Sequence, residues 1–297
     1  MSVRYVWFTT MNSPTNNSRT VAVIGTGLIG TSVALALRNQ GIRTYLHDRN
    51  PAAAAAAAAR GAGILGLPST AVDLAVVAVP PAGIAAVLAE IQDKRLARAY
   101  TDVGSVKTAP LAEAEAMGCD LTTYLGGHPM AGGERSGPAC ARPDLFRDRN
   151  WVLTPLATTS AETLGTVIDV VRMTGARPIM MAHAEHDRIV ARTSHVPHVI
   201  AAALAASLDS ADDAMLGLCG AGIKDATRIA AGDTALWTQI LRANATEVSK
   251  VLSEIAADLT AVSQALGSDV DAMTALLHRG NTGRALLIGE HRGADHG

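Results

Sequence analysis

The sequence is poor in aromatic residues and in net charge, and both shortages argue against nucleic-acid binding. Aromatic residues make up 3% of the chain, too few for the stacking platforms that bind single strands. The 25 Lys and Arg residues nearly balance the 27 Asp and Glu residues, so no basic field is available to attract a polyanion. We therefore predict no nucleic-acid partner.

Cysteines and long apolar runs are also scarce. The apolar run Ala52–Ala59 is much shorter than the ~20 residues that a membrane-spanning helix needs. Cys119, Cys140 and Cys219 are odd in number and far apart, which favours free thiols in a reducing compartment. Residues 1–19 lack the apolar run of a signal peptide and are predicted to form a flexible leader. We expect a cytoplasmic protein without a membrane segment.

What is present indicates a folded chain with two domains. Hydrophobic residues make up 48% and charged residues 18% of the 297 residues, a globular composition and a length that suits two domains. From Thr20, short β-branched runs alternate with helical segments, whereas only helical patterns follow His183. We predict an α/β domain with a parallel sheet over residues 20–182 and an all-α domain over residues 183–297.

The pattern also predicts the individual elements. The predicted strands are Val21–Gly25, Thr44–Asp48, Leu74–Val79, Ala99–Val103, Trp151–Thr154 and Pro178–Met181. The predicted helices are Ser32–Gln40, Ala52–Arg60, Ala161–Met173, Glu185–Leu208, Asp212–Leu218, Leu236–Leu266 and Val270–His278.

A G-x-G-x-x-G string directly follows the first predicted strand and opens a helix, which is the setting of a dinucleotide fingerprint. Gly25 allows the tight turn, Gly27 lets the backbone approach a pyrophosphate, and Gly30 lets helix and strand pack closely. Asp48 ends the second strand and suits a free ribose 2′-hydroxyl, although Arg49 beside it could accept a 2′-phosphate. We predict a Rossmann-type domain that binds NAD through Gly25, Gly27, Leu28, Ile29, Gly30, Asp48, Arg49, Val79, Pro80 and Ser105.

Four further strings follow in order. They are Asp102–Lys107 (DVGSVK), Gly126–Glu134 (GGHPMAGGE), His186–His198 (HDRIVARTSHVPH), and Lys224–Ala230 (KDATRIA) with Asp233 and Trp237 after it. Together with the glycine loop, this set resembles the prephenate and arogenate dehydrogenases of tyrosine biosynthesis. The resemblance extends from Val21 to about Asn244 and implies NAD-dependent oxidative decarboxylation of a cyclohexadienol, with prephenate as the expected substrate.

The resemblance implies that His128 accepts the proton of the substrate hydroxyl, a role that suits imidazole because its ordinary pKa, about 6.5, leaves it mostly neutral near pH 7. We expect His128 on an irregular loop. Ser105 is expected to orient His128 or to bond the same hydroxyl, and it could also cap the helix that runs toward Met117.

The substrate contacts are expected in the helical half. The resemblance makes Arg228 the anchor for a substrate carboxylate, a task that suits its planar guanidinium. Ser194 and His198 are four residues apart and so share a helix face, with Pro197 loosening the turn between them. Glu134 and Asp225 are expected as charged gates, and Trp237 as a pocket wall or a core residue. The resemblance also implies a homodimer.

Several alternatives stay open. His183, His186, His195 and His198 form two H-x-x-H pairs, but we predict no metal because hydride transfer needs no Lewis acid when an imidazole can take the proton. We expect His186 and Asp187 to cap or pack within their own helix. Arogenate or 4-amino-4-deoxyprephenate could replace prephenate as substrate. A hydroxyacyl dehydrogenase and a non-catalytic NAD(H) sensor are more distant hypotheses.

Overall fold

The computed structural model describes residues 19–133, 135–268 and 270–289. Its strands are β1 (Thr20–Ile24), β2 (Arg43–His47), β3 (Ile64–Leu65), β4 (Val72–Val77), β5 (Ala97–Asp102), β6 (Tyr124–Pro129), β7 (Asn150–Thr154) and β8 (Arg177–Met180). Among the described residues, they form one sheet in the order β3-β2-β1-β4-β5-β6-β7-β8. All neighbours are parallel except β6 and β7, which run antiparallel.

Helices connect the strands and then make up the rest of the described chain. The first five are α1 (Leu28–Asn39), α2 (Pro51–Ala59), α3 (Ile84–Asp93), α4 (Thr108–Ala116) and α5 (Ala161–Met173). The later ones are α6 (His183–Val190), α7 (Val196–Ala206), α8 (Asp213–Gly217), α9 (Ala221–Thr227), α10 (Thr234–Ala243), α11 (Ala245–Ala265) and α12 (Val270–Ile288). A π-helical turn, Ala191–His195, joins α6 to α7.

Helices cover both faces of the sheet, which explains why its central strands bury apolar side chains on both faces. In β1, Val21 and Val23 belong to one buried cluster, whereas Ala22 and Ile24 belong to another. This alternation follows from the two-residue period of a strand. The chain reverses its direction of winding between β1 and β4, and the carboxyl ends of these strands form the crevice where such sheets bind ligands.

The predicted α/β region and the helical region after it are confirmed, and all six predicted strands are present. The sequence pattern missed β3, α3, α9 and, above all, β6. Two adjacent glycines, Gly126 and Gly127, lie within β6, and glycine weakens any strand signal. The domain boundary near residue 182 stays a prediction.

Three helix predictions were wrong in extent. The segment predicted as one helix from Glu185 consists of α6, the π-helical turn and α7, with Pro197 just after the turn. The helix predicted over Leu236–Leu266 is interrupted at Asn244, whose side chain bonds elsewhere in the fold. The last helix extends to Ile288 rather than ending at His278.

The chain divides into two compact units, the first ending at Ala245 and the second beginning at Thr246. In the second unit, the guanidinium of Arg279 on α12 pairs with the carboxylate of Asp258 on α11, at 2.6 Å. In the first unit, the helical run His183–Ala206 is long and apolar enough to span a membrane, a property that it shares with core helices of water-soluble proteins.

We expect the central strands to dominate stability. Leu74 on β4 is fully buried, so Leu74→Ala should lower the free energy of unfolding by about 2–5 kcal/mol. Met117 at the end of α4 is 54% exposed, and Met117→Ala should change it by less than about 0.5 kcal/mol. Urea unfolding of both variants measures the difference, and equal effects would contradict this assignment of the core.

Candidate active site

The glycine loop between β1 and α1 has the geometry that the sequence predicts. Gly25 has φ +101°, and a Cβ there would collide with the carbonyl oxygen of Ala78. A Cβ on Gly30 would collide with the carbonyl oxygen of Gly25, whereas Gly27 faces open space. Because Gly27 is the N-cap of α1, the first N–H groups of this helix lie beside that space. The loop therefore fits a dinucleotide pyrophosphate.

Asp48 supports the loop from the end of β2. One carboxylate oxygen accepts hydrogen bonds from the backbone N–H and the hydroxyl of Thr26, at 2.6 and 3.0 Å. The other oxygen accepts the N–H of Asn50 at 2.8 Å. Arg49 beside it is exposed. Asp48 thus shapes the glycine loop, and its oxygens retain acceptor capacity for a ribose hydroxyl.

The other predicted cofactor contacts surround the same loop. Leu28 and Ile29 are the first two residues of α1, and Val79 and Pro80 follow shortly after β4. A Cβ on Gly25 would meet the Val79 side chain at 3.2 Å.

His128 lies on a strand, so its predicted position on an irregular loop was wrong. It is the fifth residue of β6 and pairs with Val152 of β7 in the antiparallel ladder. This ladder fixes its backbone more firmly than a loop would.

A chain of three side chains fixes the orientation of the His128 ring. Nδ1 of His128 lies 2.8 Å from Nε2 of His186, and Nδ1 of His186 lies 2.8 Å from a carboxylate oxygen of Asp187. The ionised carboxylate can only accept, so Nδ1 of His186 donates to it. When His186 carries a single proton, on Nδ1, its Nε2 accepts a hydrogen bond from the Nδ1–H of His128. In this tautomer the proton of His128 is on Nδ1, and its Nε2 carries a lone pair.

The surroundings also keep His128 uncharged. Burial lowers the pKa of His128 well below its ordinary value, and His186, Lys107 and His195 lower it further while Asp187 opposes them. At neutral pH the imidazole is thus a proton acceptor rather than a cation.

Asp187 also caps a helix of the sheet region. Its carboxylate oxygens accept the backbone N–H groups of Lys107 and Thr108, at 2.9 and 2.8 Å, where α4 begins. Burial raises the pKa of Asp187, but bonds from His186, Thr108 and Lys107 outweigh burial and lower the pKa to about 2. The prediction that His186 and Asp187 cap or pack within their own helix missed these contacts, because Asp187 caps α4 instead.

Ser105 is not the cap of α4, contrary to the prediction. The N-cap position is Lys107, whose side chain makes no capping bond, and Asp187 takes that task from outside the helix. Ser105 lies half-buried in the turn between β5 and α4. Its predicted contact with cofactor or substrate stays a prediction.

A cavity of about 310 Å³ brings four of the predicted substrate residues together. It is lined by Gly132, Gly133, Thr193, Ser194, Pro197, His198, Arg228, Ile229, Gly232 and Trp237. The rings of His198 and Trp237 stack with centroids 3.6 Å apart. A Cβ on Gly232 would collide with Nε1 of Trp237, so the glycine allows the indole to lie against this wall.

Of the two predicted gates, only Asp225 can be compared with this lining. Asp225 lies exposed on α9 and is absent from the cavity wall. Glu134 lies outside the described residues. A Cβ on Gly133 would lie 4.0 Å from the Leu28 side chain, which places the loop after β6 beside the glycine loop.

Sequence reasoning missed the contacts of His195 and Asn244. The amide of Asn244 donates to the carbonyl oxygen of Asp187 and to Nδ1 of His195, at 2.8 and 3.1 Å. Burial lowers the pKa of His195 to about 4, with Asp187 opposing this shift. The only sequence signal for Asn244 was its position inside a predicted long helix, where Asn is a poor helix former.

Metal ligands are not grouped in the part of the chain that the structure describes. No set of three or more His, Cys, Asp or Glu side chains there has an arrangement that could hold an ion.

Comparison with known proteins gives consistent matches across most of the chain. The model of the prephenate dehydrogenase nucleotide-binding domain matches residues 33–180, and that of the prephenate dehydrogenase dimerization domain matches residues 182–279. The probable prephenate dehydrogenase NovF of Streptomyces niveus is 42% identical over 85% of this chain and 70% of its own length. The cyclohexadienyl dehydrogenase of Zymomonas mobilis is 31% identical over 84% of this chain and 88% of its own length.

A solved structure agrees with these relatives. The prephenate dehydrogenase of A. aeolicus, in complex with hydroxyphenyl propionate and NAD+, aligns with a TM-score of 0.81 at 25% identity. The alignment covers 91% of this chain and 98% of that one.

The capping role of Asp187 predicts a pH-dependent contribution to stability. Because the folded-state pKa of about 2 lies below the ordinary value, the contribution is about 2 kcal/mol at neutral pH. It is complete above the unfolded-state pKa, about 4, and disappears as the pH falls toward 2. The difference in free energy of unfolding between the wild type and Asp187→Asn should follow this course.

Asp144→Asn is the matched control, since that carboxylate is 53% exposed. Urea unfolding between pH 2 and pH 7 measures both differences. A difference for Asp187→Asn that stays constant over the whole range would contradict the assignment.

Proposed function

The chain belongs to the prephenate dehydrogenase family, and from this premise we propose that it oxidatively decarboxylates prephenate to 4-hydroxyphenylpyruvate with NAD, a step of tyrosine biosynthesis. The observation that carries the proposal is the bond chain from Asp187 through His186 to His128. It leaves a neutral imidazole with its Nε2 lone pair available as general base.

In this mechanism, His128 takes the proton of the substrate hydroxyl at Nε2. Bound NAD would supply the acceptor for the hydride from the hydroxyl-bearing ring carbon. As the proton moves to Nε2, positive charge develops on His128, and the hydrogen bond through His186 to the Asp187 carboxylate disperses that charge. Loss of the ring carboxylate as carbon dioxide leaves an aromatic ring, which makes the reaction irreversible.

The glycine loop would hold NAD, with Gly25, Gly27 and Gly30 around the pyrophosphate. Leu28, Ile29, Val79 and Pro80 lie around the loop, and Asp48 has acceptor capacity for the ribose. The acid favours NAD over NADP because its charge would repel a 2′-phosphate, although the exposed Arg49 is within the same turn.

The cavity of Ser194, His198, Arg228 and Trp237 is the proposed site for the substrate side chain and its carboxylate. The guanidinium of Arg228 suits a carboxylate because it can donate two parallel hydrogen bonds to it. Burial lowers the pKa of His198, so it is neutral at pH 7 and can share hydrogen bonds with the substrate. Ser105 is proposed to bond the substrate hydroxyl, and Glu134 and Asp225 to act as charged gates.

We further propose a cytoplasmic homodimer. The match to a dimerization domain over residues 182–279 supports self-association. Exposed apolar side chains on the helical segments, among them Leu218, Leu277 and Leu287, supply the kind of surface that a second copy would cover.

Arogenate is a second candidate substrate, because the relative from Z. mobilis is a cyclohexadienyl dehydrogenase. The purified protein should therefore be incubated with NAD and, separately, prephenate, arogenate and 4-amino-4-deoxyprephenate. Absorbance of reduced nicotinamide reports turnover. Fastest turnover of prephenate supports the proposal, whereas NAD binding without turnover of any of the three would favour a sensor.

His128→Asn should reduce kcat by ~10² or more with little change in KM, because the lost interaction strengthens in the transition state. His278→Asn is the control, since that side chain is exposed on α12. Steady-state kinetics with the best substrate measures both variants. An unchanged kcat in His128→Asn would remove the base from the mechanism.

Arg228→Ala should act mainly on substrate binding. Loss of a charge-assisted bond to a carboxylate costs about 2 kcal/mol, or roughly 30-fold in KM. The exposed Arg284 on α12 provides the control variant Arg284→Ala, which should retain the wild-type KM. If Arg228→Ala binds substrate as tightly as the wild type, the anchor lies elsewhere.

A further inference from the structure

The β5–β6 ladder ends before it reaches His128. Parallel pairing between these strands covers only Tyr100 with Tyr124 and Thr101 with Leu125. Beyond these two residue pairs, no further pairing joins the described residues of the two strands, and the peptide groups of β6 that face β5 need other partners.

Asp102 and Lys107 supply those partners at Gly127, the residue before His128. Asp102 accepts the backbone N–H of Gly127 at 3.3 Å, and the ammonium of Lys107 donates to the Gly127 carbonyl at 2.5 Å. Lys107 also donates to Asp102. The two side chains thus bind both polar groups of one residue and each other.

The surroundings of this pair leave little freedom. The side chains of Lys107 and Asp102 are 1% and 0% exposed. The hydroxyl of Tyr124 donates to Asp102 at 2.5 Å, and Asp102 also accepts the N–H of Gly104 at 2.6 Å. A Cβ on Gly127 would lie 2.6 Å from the carbonyl oxygen of Asp102. Hydrogen bonds therefore fix both polar groups of Gly127, and the close approach of Asp102 leaves no space for a side chain there.

Stability alone does not account for such a pair. Desolvation of two buried charges often offsets their attraction, and apolar residues of similar volume are often as stable or more so. Apolar residues would, however, leave the N–H and C=O of Gly127 without these partners. The pair fixes the peptide beside His128 and holds a charge near its ring. An apolar core would provide neither.

We propose that Asp102 and Lys107 act as a positioning pair for His128: they hold the strand segment that carries it and place a buried positive charge close to its imidazole. The charge favours the unprotonated ring that the proposed general base requires. The effect of this pair on turnover rests on the proposed function. Its effect on the protonation of the His128 ring can be measured without that function.

The groups that act on His128 come from several elements. Lys107 precedes α4, His186 and Asp187 lie on α6, and His195 ends the π-helical turn. After burial, His186, Lys107 and His195 lower the pKa of His128, and Asp187 raises it. Burial lowers the pKa of Lys107 itself, and Asp102 opposes this shift. A test must therefore change Lys107 while leaving the histidines and Asp187 in place.

The experiment follows the His128 ring by NMR in the full-length protein labelled in its histidine side chains, with His128→Asn identifying the signal. Lys107→Met removes the cation and leaves Asp102 uncompensated, so the pKa of His128 should rise by about one unit or more. Asp102→Asn combined with Lys107→Met removes both charges and should give a smaller rise. Lys94→Met is the matched control, because Lys94 pairs with Glu90 at the surface and should leave the titration unchanged.

Kinetics provide the second readout. In Lys107→Met, the acid limb of the kcat/KM profile should move to higher pH with the His128 titration, and kcat should fall ~10-fold or more, while the KM for NAD stays constant. If the variants fold and the pKa of His128 does not change, the proposal is overturned. If neither variant folds, the proposal is also overturned, because the pair then serves the stability of the fold. If the titration moves in a protein without turnover, the proposed function fails and the positioning role stands.

Discussion

The carboxylate of Asp187 is the interaction on which the site depends. It accepts the first N–H groups of α4, which belongs to the sheet region, and orients His186 toward His128. A single buried anion thus joins the helix that follows β5 to the first helix after the sheet. The models of the two family domains meet near residue 181, yet residues on both sides belong to one compact unit that ends at Ala245. The two sequence regions are therefore one structural unit at the place where the chemistry is proposed.

Electrostatics in this region favours the uncharged forms of His128 and His195. His128, His186 and His195 lie in contact or in a shared network, and burial outweighs the attraction of Asp187 for His128 and His195. Through His186, this hydrogen-bonded network can pass polarisation from the Asp187 carboxylate to His128. Lys107 is buried but its charge is compensated by Asp102, and the same charge favours the unprotonated form of His128.

Much of this arrangement could be predicted from sequence. Each predicted string lies within one element or one turn, so its spacing alone indicates which residues lie together. This applies to the glycine loop, to Asp48 and to the cavity residues Ser194, His198 and Arg228. The contacts that orient His128 could not be predicted in the same way. They join β6 to α6, 58 residues apart, and Asn244 to residues 49 and 57 positions away. Periodicity records which face of an element is buried, but not which polar group it meets there. The glycines of β6 also concealed the strand itself.

The π-helical turn between α6 and α7 has a consequence for the spacing of the site. Each residue in an α-helix advances by about 100° around the axis, and a π turn accommodates one residue more than the regular spiral. Ser194 lies inside the turn and His198 follows it. Because the turn absorbs that extra residue, removing one residue from it would restore a regular spiral and leave α7 in nearly the same orientation. His198, which follows the turn, would keep its place against the indole of Trp237. Ser194 lies inside the turn and would change its direction, so the π turn sets the direction of Ser194 independently of His198.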